Sequence, residues 1–225
     1  MRRVTTLLAV LLAVAVGLLG CSSGSSSQTP EQRLAAAKHR FDQAQYIGFD
    51  LRAQRLPSGF DGLQSATGTG THAPAFTGKV QVRAGLTFTA PVVAIGGKVW
   101  AKLPFVGWNI IDPAKYGAPD PSTLMSKAGG LSSLFTATRD PKTGSSQRHG
   151  RTVLTTITGT VPGRAMQRIF PSAGNGSFQA SYALTDSDVP EVATFTGPFY
   201  RGHPDVTYVT SLNLNAAPVS IKVPR

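Results

Sequence analysis

From Ile47 onward the chain changes polarity at every second residue. Ile47, Phe49, Leu51 and Ala53 alternate with Gly48, Asp50 and Arg52. Phe76, Val80, Val82 and Ala84 alternate in the same way with Lys79, Gln81 and Arg83. The rhythm returns in Phe178 to Leu184, in Ala193 to Phe199 and in Val206 to Leu214. A period of two sends successive side chains to opposite faces, so these segments predict strands with one buried face. Short turns separate them, and strands joined by short turns are antiparallel. Gly96-Gly97 between Val92–Ile95 and Val99–Leu103 is a two-residue hairpin signal. A short strand from Trp108 stops at Asp112-Pro113. Residues 57–74, rich in Gly, Thr and Ser, predict a turn and a weak, mobile strand. Residues 139–150 read as a polar turn region, followed by a strand carrying Val153, Thr155, Ile157 and Val161.

Helical spacing is confined to short pieces. Thr29-Pro30-Glu31 opens a helix with Leu34, Ala37, Phe41 and Ala44 on one face. Asp120-Pro121 starts a second with Leu124 and Met125, and Gly129-Gly130 breaks it before Leu131, Leu134 and Phe135. Pro162 to Phe170 predicts a short helix ended by Pro171. The expected class is α+β: a largely antiparallel sheet with a few helices on its buried face. The pattern leaves two outcomes open. The helices close tightly as an ordinary core, or they stand off a curled sheet and leave an apolar cavity.

The N-terminus carries a secretory signal. Arg2 and Arg3 precede an apolar run from Val4 to Leu19, and Leu18-Leu19-Gly20-Cys21 has the form of a lipobox. Cys21 is the only cysteine of the chain, so no internal disulfide can form and the fold must stand on packing. The expected organisation is a signal peptide over 1–20, a lipidated Cys21 with a Ser/Gly-rich tether over 21–30, and one domain over 31–225. A thioether-linked diacylglycerol on Cys21 would hold the protein to a membrane, since two or more acyl chains anchor stably.

Net charge is +11, of which Arg2 and Arg3 supply +2, leaving +9. Outside the cytoplasm this excess suits anionic lipid head groups or acidic polysaccharide, and equally a soluble surface with no specific partner; no nucleic acid partner is expected. Catalytic chemistry has no motif. His39, His72, His149 and His203 are scattered, without metal spacing. There is no G-x-S-x-G or S-x-x-K, and Asp186 with Asp188 is too small a ligand set for calcium. The chain is therefore expected not to be an enzyme and to need no cofactor or metal.

Several segments resemble a known family. They are Val99-Trp-Ala-Lys-Leu-Pro-Phe105, Ile111-Asp-Pro-Ala-Lys-Tyr-Gly-Ala-Pro-Asp-Pro121 and Gly130-Leu-Ser-Ser-Leu-Phe-Thr-Ala-Thr138. Gly159-Thr-Val-Pro-Gly163, Ile169-Phe-Pro-Ser172 and Thr196-Gly-Pro-Phe-Tyr200 follow in the same order. Together they resemble the mycobacterial LppX/LprA/LprF/LprG lipoproteins, the LprF and LprA branch above all. The resemblance implies a curved antiparallel half-barrel like the LolA and LolB carriers, with helices over its concave face and an apolar cavity between. It implies carriage or display of acylated lipids or glycolipids in the cell envelope, at the outer face of the plasma membrane, and not catalysis. It also leaves room for a second role, docking to a membrane transporter or sensor.

Such a cavity needs apolar walls and a few polar groups at its mouth. Val80, Val82, Leu86 and Phe88 are wall candidates from the first strands, and Val93, Ile95 and Val99 from the hairpin. Leu124, Leu131, Leu134 and Phe135 are candidates from the helices. All of them suit an ordinary core equally well. Arg83, Lys102, Lys115 and Arg139 are candidates for a head-group rim, and suit a solvated face as well.

Overall fold

The computed structural model describes residues 28–54, 56 and 59–225. The expected signal segment 1–20, Cys21 and the tether up to residue 27 lie outside the described residues.

The first helix, α1 (Pro30–Gln43), begins at a reciprocal cap. The Thr29 hydroxyl accepts from the Gln32 N–H at 3.3 Å, and the Thr29 N–H donates to the Gln32 side chain at 2.9 Å. Leu34, Ala37 and Phe41 are its buried face, as their spacing predicts.

Eleven strands then form one sheet. The first meander is β1 (Ile47–Gln54), β2 (Gly62–Thr71), β3 (Ala75–Ala84), β4 (Leu86–Ile95), β5 (Lys98–Leu103) and β6 (Gly107–Ile111). A 3-10 turn (Pro113–Tyr116), α2 (Pro121–Leu124) and α3 (Ser132–Ala137) cross to the second meander. That meander is β7 (Arg139–His149), β8 (Thr152–Pro162), then α4 (Gly163–Met166), β9 (Ser177–Thr185), β10 (Pro190–Gly197) and β11 (Val206–Asn213). The order across the sheet is β6-β5-β4-β3-β2-β1-β11-β10-β9-β8-β7, antiparallel throughout. β6 and β7 are the two edges, so the sheet stays open.

Because every neighbour is antiparallel, the turns fall at two ends. The β1–β2, β3–β4 and β5–β6 turns share one end with the β8–β9 and β10–β11 connections. We call this end the distal rim. α1 lies at the opposite end. There Arg33 donates to Asp188 at 2.7 Å and to the Thr185 carbonyl at 2.8 Å, in the β9–β10 turn. At the other end of α1 the His72 ring stands between the carbonyls of Phe41 and Met125, at 3.0 and 2.6 Å. Asp188, considered above as a calcium ligand with Asp186, is thus committed to Arg33.

Two segments differ from expectation. Residues 62–71 form a full strand between β1 and β3 and not a weak, mobile one. Residues 139–149 form edge strand β7 and not a turn region. β7 is exposed along nearly its whole length and is interrupted by two register shifts. Among the described residues little covers it, so its sequence carries no apolar alternation, and bulges with charged residues are how edges avoid further pairing.

β2 is held by fit rather than by large side chains. Gly68 and Gly78 face each other across β2 and β3, with the Phe76 ring over both. A Cβ on Gly78 would lie 2.0 Å from the Thr67 carbonyl oxygen and 2.7 Å from the Phe76 ring. Phe76 is fully buried and meets Phe49 edge to face at 6.1 Å. Gly78→Val is expected to lower stability by about 1–3 kcal/mol through overpacking, read as a lower urea midpoint at unchanged slope.

Candidate functional site

The concave face of β1–β5 is covered by the segment running from the end of β6 to α2. Between them lies a cleft. Its sheet wall is Phe49 and Leu51 of β1, Leu63 and Ala66 of β2, and Val80 and Val82 of β3. Phe88, Ala90 and Val92 of β4 and Val99, Ala101 and Leu103 of β5 continue it. The cover contributes Ile111, Pro113, Tyr116, Ala118, Pro119, Pro121 and Leu124. The Tyr116 hydroxyl is the sole polar side-chain group among these residues. A smaller hollow shares Phe49, Leu51 and Leu124 with the cleft and runs on past Leu131 and Leu134 to Met166. The two form one apolar seam under the sheet.

The seam is narrow. About 50 Å³ of the cleft is open to the centres of water molecules, within about 700 Å³ of atom-free space that takes in its solvent-facing mouth. The smaller hollow has about 20 Å³. Phe88, Leu103 and Tyr116 are only half buried, which puts an opening toward the distal rim.

The cover is fixed at defined points. The Asp112 carboxylate accepts from the Ala114 N–H at 3.0 Å, and the Asp120 carboxylate from the Ser122 N–H at 2.8 Å. The Tyr116 ring meets Phe88 edge to face at 6.2 Å. Gly117 has φ 63°, and a Cβ there would come within 2.7 Å of the Tyr200 ring. Only glycine permits both the left-handed turn and that approach.

Tyr200 is held in turn by a closed polar loop. The Leu63 N–H donates to the Tyr200 hydroxyl at 3.0 Å. The Tyr208 hydroxyl donates to the Leu63 carbonyl at 2.7 Å, so the 2.7 Å contact between the hydroxyls is donated by Tyr200. Burial raises the pKa of both phenols above the ordinary tyrosine range, and for Tyr208 the neighbouring Tyr200 adds to it. Burial also raises Tyr182, which lies against Phe135.

The expected site residues are dispersed by this geometry. Val80, Val82, Phe88, Val99 and Leu124 line the cleft, and Leu131 and Leu134 line the smaller hollow. Val93 and Ile95 point to the convex face, because Val93 is opposite Trp100 and Ile95 opposite Lys98, whereas Ala94 opposite Val99 faces inward. Phe135 is buried beside Phe41 and Tyr182, away from the cleft. Leu86 stands at the start of β4, 81% exposed. The four cations do not form one rim. Arg83 lies 3.7 Å from Asp61. Lys102 is on the convex face opposite Trp108, since Ala101 takes the inward position. Lys115 is exposed on the 3-10 turn, and Arg139 is on the far side of the sheet at β7. Phe49 and Leu51 were visible as an apolar strand face but not as cleft wall. Leu63 and Ala66 carried no signal within a Gly/Thr stretch.

Among the described residues no group of three or more His, Cys, Asp or Glu side chains is placed to hold a metal. No described helix is long and apolar enough to cross a membrane.

An open antiparallel sheet with an apolar seam under a helical cover defines an α+β protein with an interior suited to apolar matter. Residues 29–211 match the model of the LppX_LprAFG lipoprotein family, and the chain belongs to that family. The fold is similar to that of LprF from Mycobacterium bovis, at 15% identity and a TM-score of 0.71, covering 87% of this chain and 96% of that one. It is also similar to LppX from Mycobacterium tuberculosis, at 15% identity and a TM-score of 0.62, covering 86% and 98%. A search of curated proteins gives no match.

Two outcomes follow from the tyrosine loop. Tyr208→Phe removes the hydroxyl donor to the Leu63 carbonyl and the acceptor of the Tyr200 O–H, and is expected to cost about 1–3 kcal/mol in urea unfolding. The buried phenols ionise less readily folded than unfolded. Their contribution is therefore complete below the unfolded tyrosine value of about 10 and is lost as pH rises above it. Urea midpoints measured from neutral pH upward should fall beyond that point, and less steeply in Tyr208→Phe.

Proposed function

We propose that the protein binds the acyl chains of lipids or glycolipids in the apolar seam and carries or presents them in the cell envelope. Cys21, acylated after removal of residues 1–20, tethers the 31–225 domain to the outer face of the plasma membrane through a flexible linker. The observation that carries this reading is the lining of the cleft: a wall drawn from five strands and a cover, with one hydroxyl as its sole polar side-chain group. Water gains little in such a space, whereas each buried CH₂ of a guest gains about 0.8 kcal/mol. Membership of a lipoprotein family supports the anchor and the envelope location.

The cleft as it stands falls below the roughly 300–1,000 Å³ of ordinary ligand pockets. Loading on this reading requires the 113–124 cover to move off the sheet. Its ties to the sheet side, Tyr116 on Phe88 and Gly117 on Tyr200, are contacts between apolar surfaces that a guest can replace.

The same narrowness favours a second reading, a module that docks to a membrane sensor or transporter without carrying lipid. Chain 22–225 expressed in a mycobacterial host and extracted with organic solvent separates the two. Carriage predicts co-purified acyl lipid by mass spectrometry, and its loss in Val80→Trp, whose new ring fills the cleft from a half-buried position. Lipid-free preparations, repeated, would favour docking. Lipid retained in full by Val80→Trp would place the guest elsewhere.

A further inference from the structure

A second concavity lies on the other half of the distal rim. It is an open groove of about 860 Å³ between the start of β7, α4 and the start of β9. Arg139, Arg164 and Arg168 line it, with Asn175 and Ser177. No carboxylate lines it. Among the described residues none of the three arginines has a carboxylate within ion-pair distance or a hydrogen-bond partner within the chain. Asp140 adjoins Arg139 in sequence but is not part of the lining.

The wall of the groove is built from close backbone contacts. A Cβ on Gly163 would lie within 2.6 Å of Gly174, Asn175 and Gly176 backbone atoms, so that loop rests directly on α4. The Gly174 N–H donates to the Pro198 carbonyl at 2.7 Å. The Gln167 amide donates to the Ala173 carbonyl at 3.0 Å and to the Asn175 side-chain oxygen at 2.7 Å. With its oxygen engaged there, Asn175 has its NH₂ left to offer. The groove therefore presents guanidinium and amide donors on a fixed wall, and such a set selects a multiply hydrogen-bonding anion. Arginine's planar fork suits phosphate oxygens in pairs.

We propose that this groove binds the phosphate of an anionic phospholipid head group. The source is a lipid surface and not free phosphate, because the same end of the sheet holds out apolar tips. Leu86 at the start of β4 is 81% exposed, and Phe105 and Val106 in the β5–β6 turn are 108% and 68% exposed. Arginine donors on one half of this end and unpartnered apolar tips on the other match the layering of a phospholipid interface, with phosphates outside and chains within. The site is separate from the acyl seam and does not depend on it.

The test uses the full chain in a non-ionic detergent. It is titrated calorimetrically with mixed micelles of that detergent and phosphatidylglycerol, and separately with inorganic phosphate. Binding to the micelles is expected to be roughly tenfold or more tighter than to phosphate, and to weaken with salt. Arg164→Gln with Arg168→Gln should remove it, Leu86→Ser with Phe105→Ser should weaken the micelle arm alone, and Val80→Trp should leave it unchanged. Circular dichroism checks the fold, and Arg139→Gln replaces the double variant if that one fails to fold. Micelle binding that survives loss of the arginines, or disappears in Val80→Trp, overturns the proposal. Arginine-dependent binding of inorganic phosphate as tight as that of the micelles overturns the lipid source.

Discussion

The pairing of β1 with β11 holds the molecule together as one sheet. It runs from Gly48 opposite Asn213 to Gln54 opposite Thr207, and it is the sole ladder between the two meanders. Every other ladder joins strands that are neighbours in sequence. Closing this one brings together segments separated by most of the domain, an entropic cost that local contacts do not repay during folding. What repays it is the seam beneath. Phe49 and Leu51 on β1 line both the cleft and the smaller hollow, while Tyr208 on β11 binds the Leu63 carbonyl on β2. Without the ladder, β1 and β11 would each be a long unpaired edge with an apolar face, an arrangement prone to aggregation.

How much of this was legible in the sequence depended on whether apolar residues marked one face. α1 was readable from Thr29 to Phe41 because its cap and its buried stripe agree. The β4–β5 hairpin was readable from Gly96-Gly97, both at positive φ. β2 was obscured because glycines replace large residues where Phe76 lies across them. β7 was obscured because an uncovered edge needs no apolar face. Val92 to Ile95 is apolar on both faces, so periodicity could not tell Val92, which lines the cleft, from Val93, which does not. The rim candidates stand apart for a related reason. Strand parity puts Lys102 on the convex side, and the sheet's width separates Arg139 from Arg83. Arg164 and Arg168 meet Arg139 only through the β7–β8 ladder, which could not be foreseen while 139–150 read as a turn.

The cover's position follows from Tyr200. Its hydroxyl is fixed by Leu63 and Tyr208, and its ring is the surface on which Gly117 turns. The polar loop thus sets the height of an apolar cover. It does so at the distal rim, where Phe88 and Tyr116 stand half exposed. Toward the other end, the Leu131 N–H donates to the Leu124 carbonyl at 2.9 Å and the His72 ring stands between the Met125 and Phe41 carbonyls. Polar contacts therefore gather near α2 and aromatic contact near the rim, and on the proposed loading the rim is the end to open.

Lining atoms that face a void forfeit dispersion contacts, so an apolar lining favours close approach of its side chains and cover. On the proposed reading a guest enters by moving the cover off this narrow seam. Separating Tyr116 from Phe88 forfeits an aromatic pair of about 0.5–1.5 kcal/mol beyond its buried area. A hydrocarbon sliding beneath the cover restores the area term and adds about 0.8 kcal/mol for each CH₂ taken out of water. Two or three methylenes outweigh the ring pair on that scale. On the proposed reading the balance would tip toward opening along the guest's length, because each further carbon would meet Val, Ala or Leu rather than an unpaired polar group.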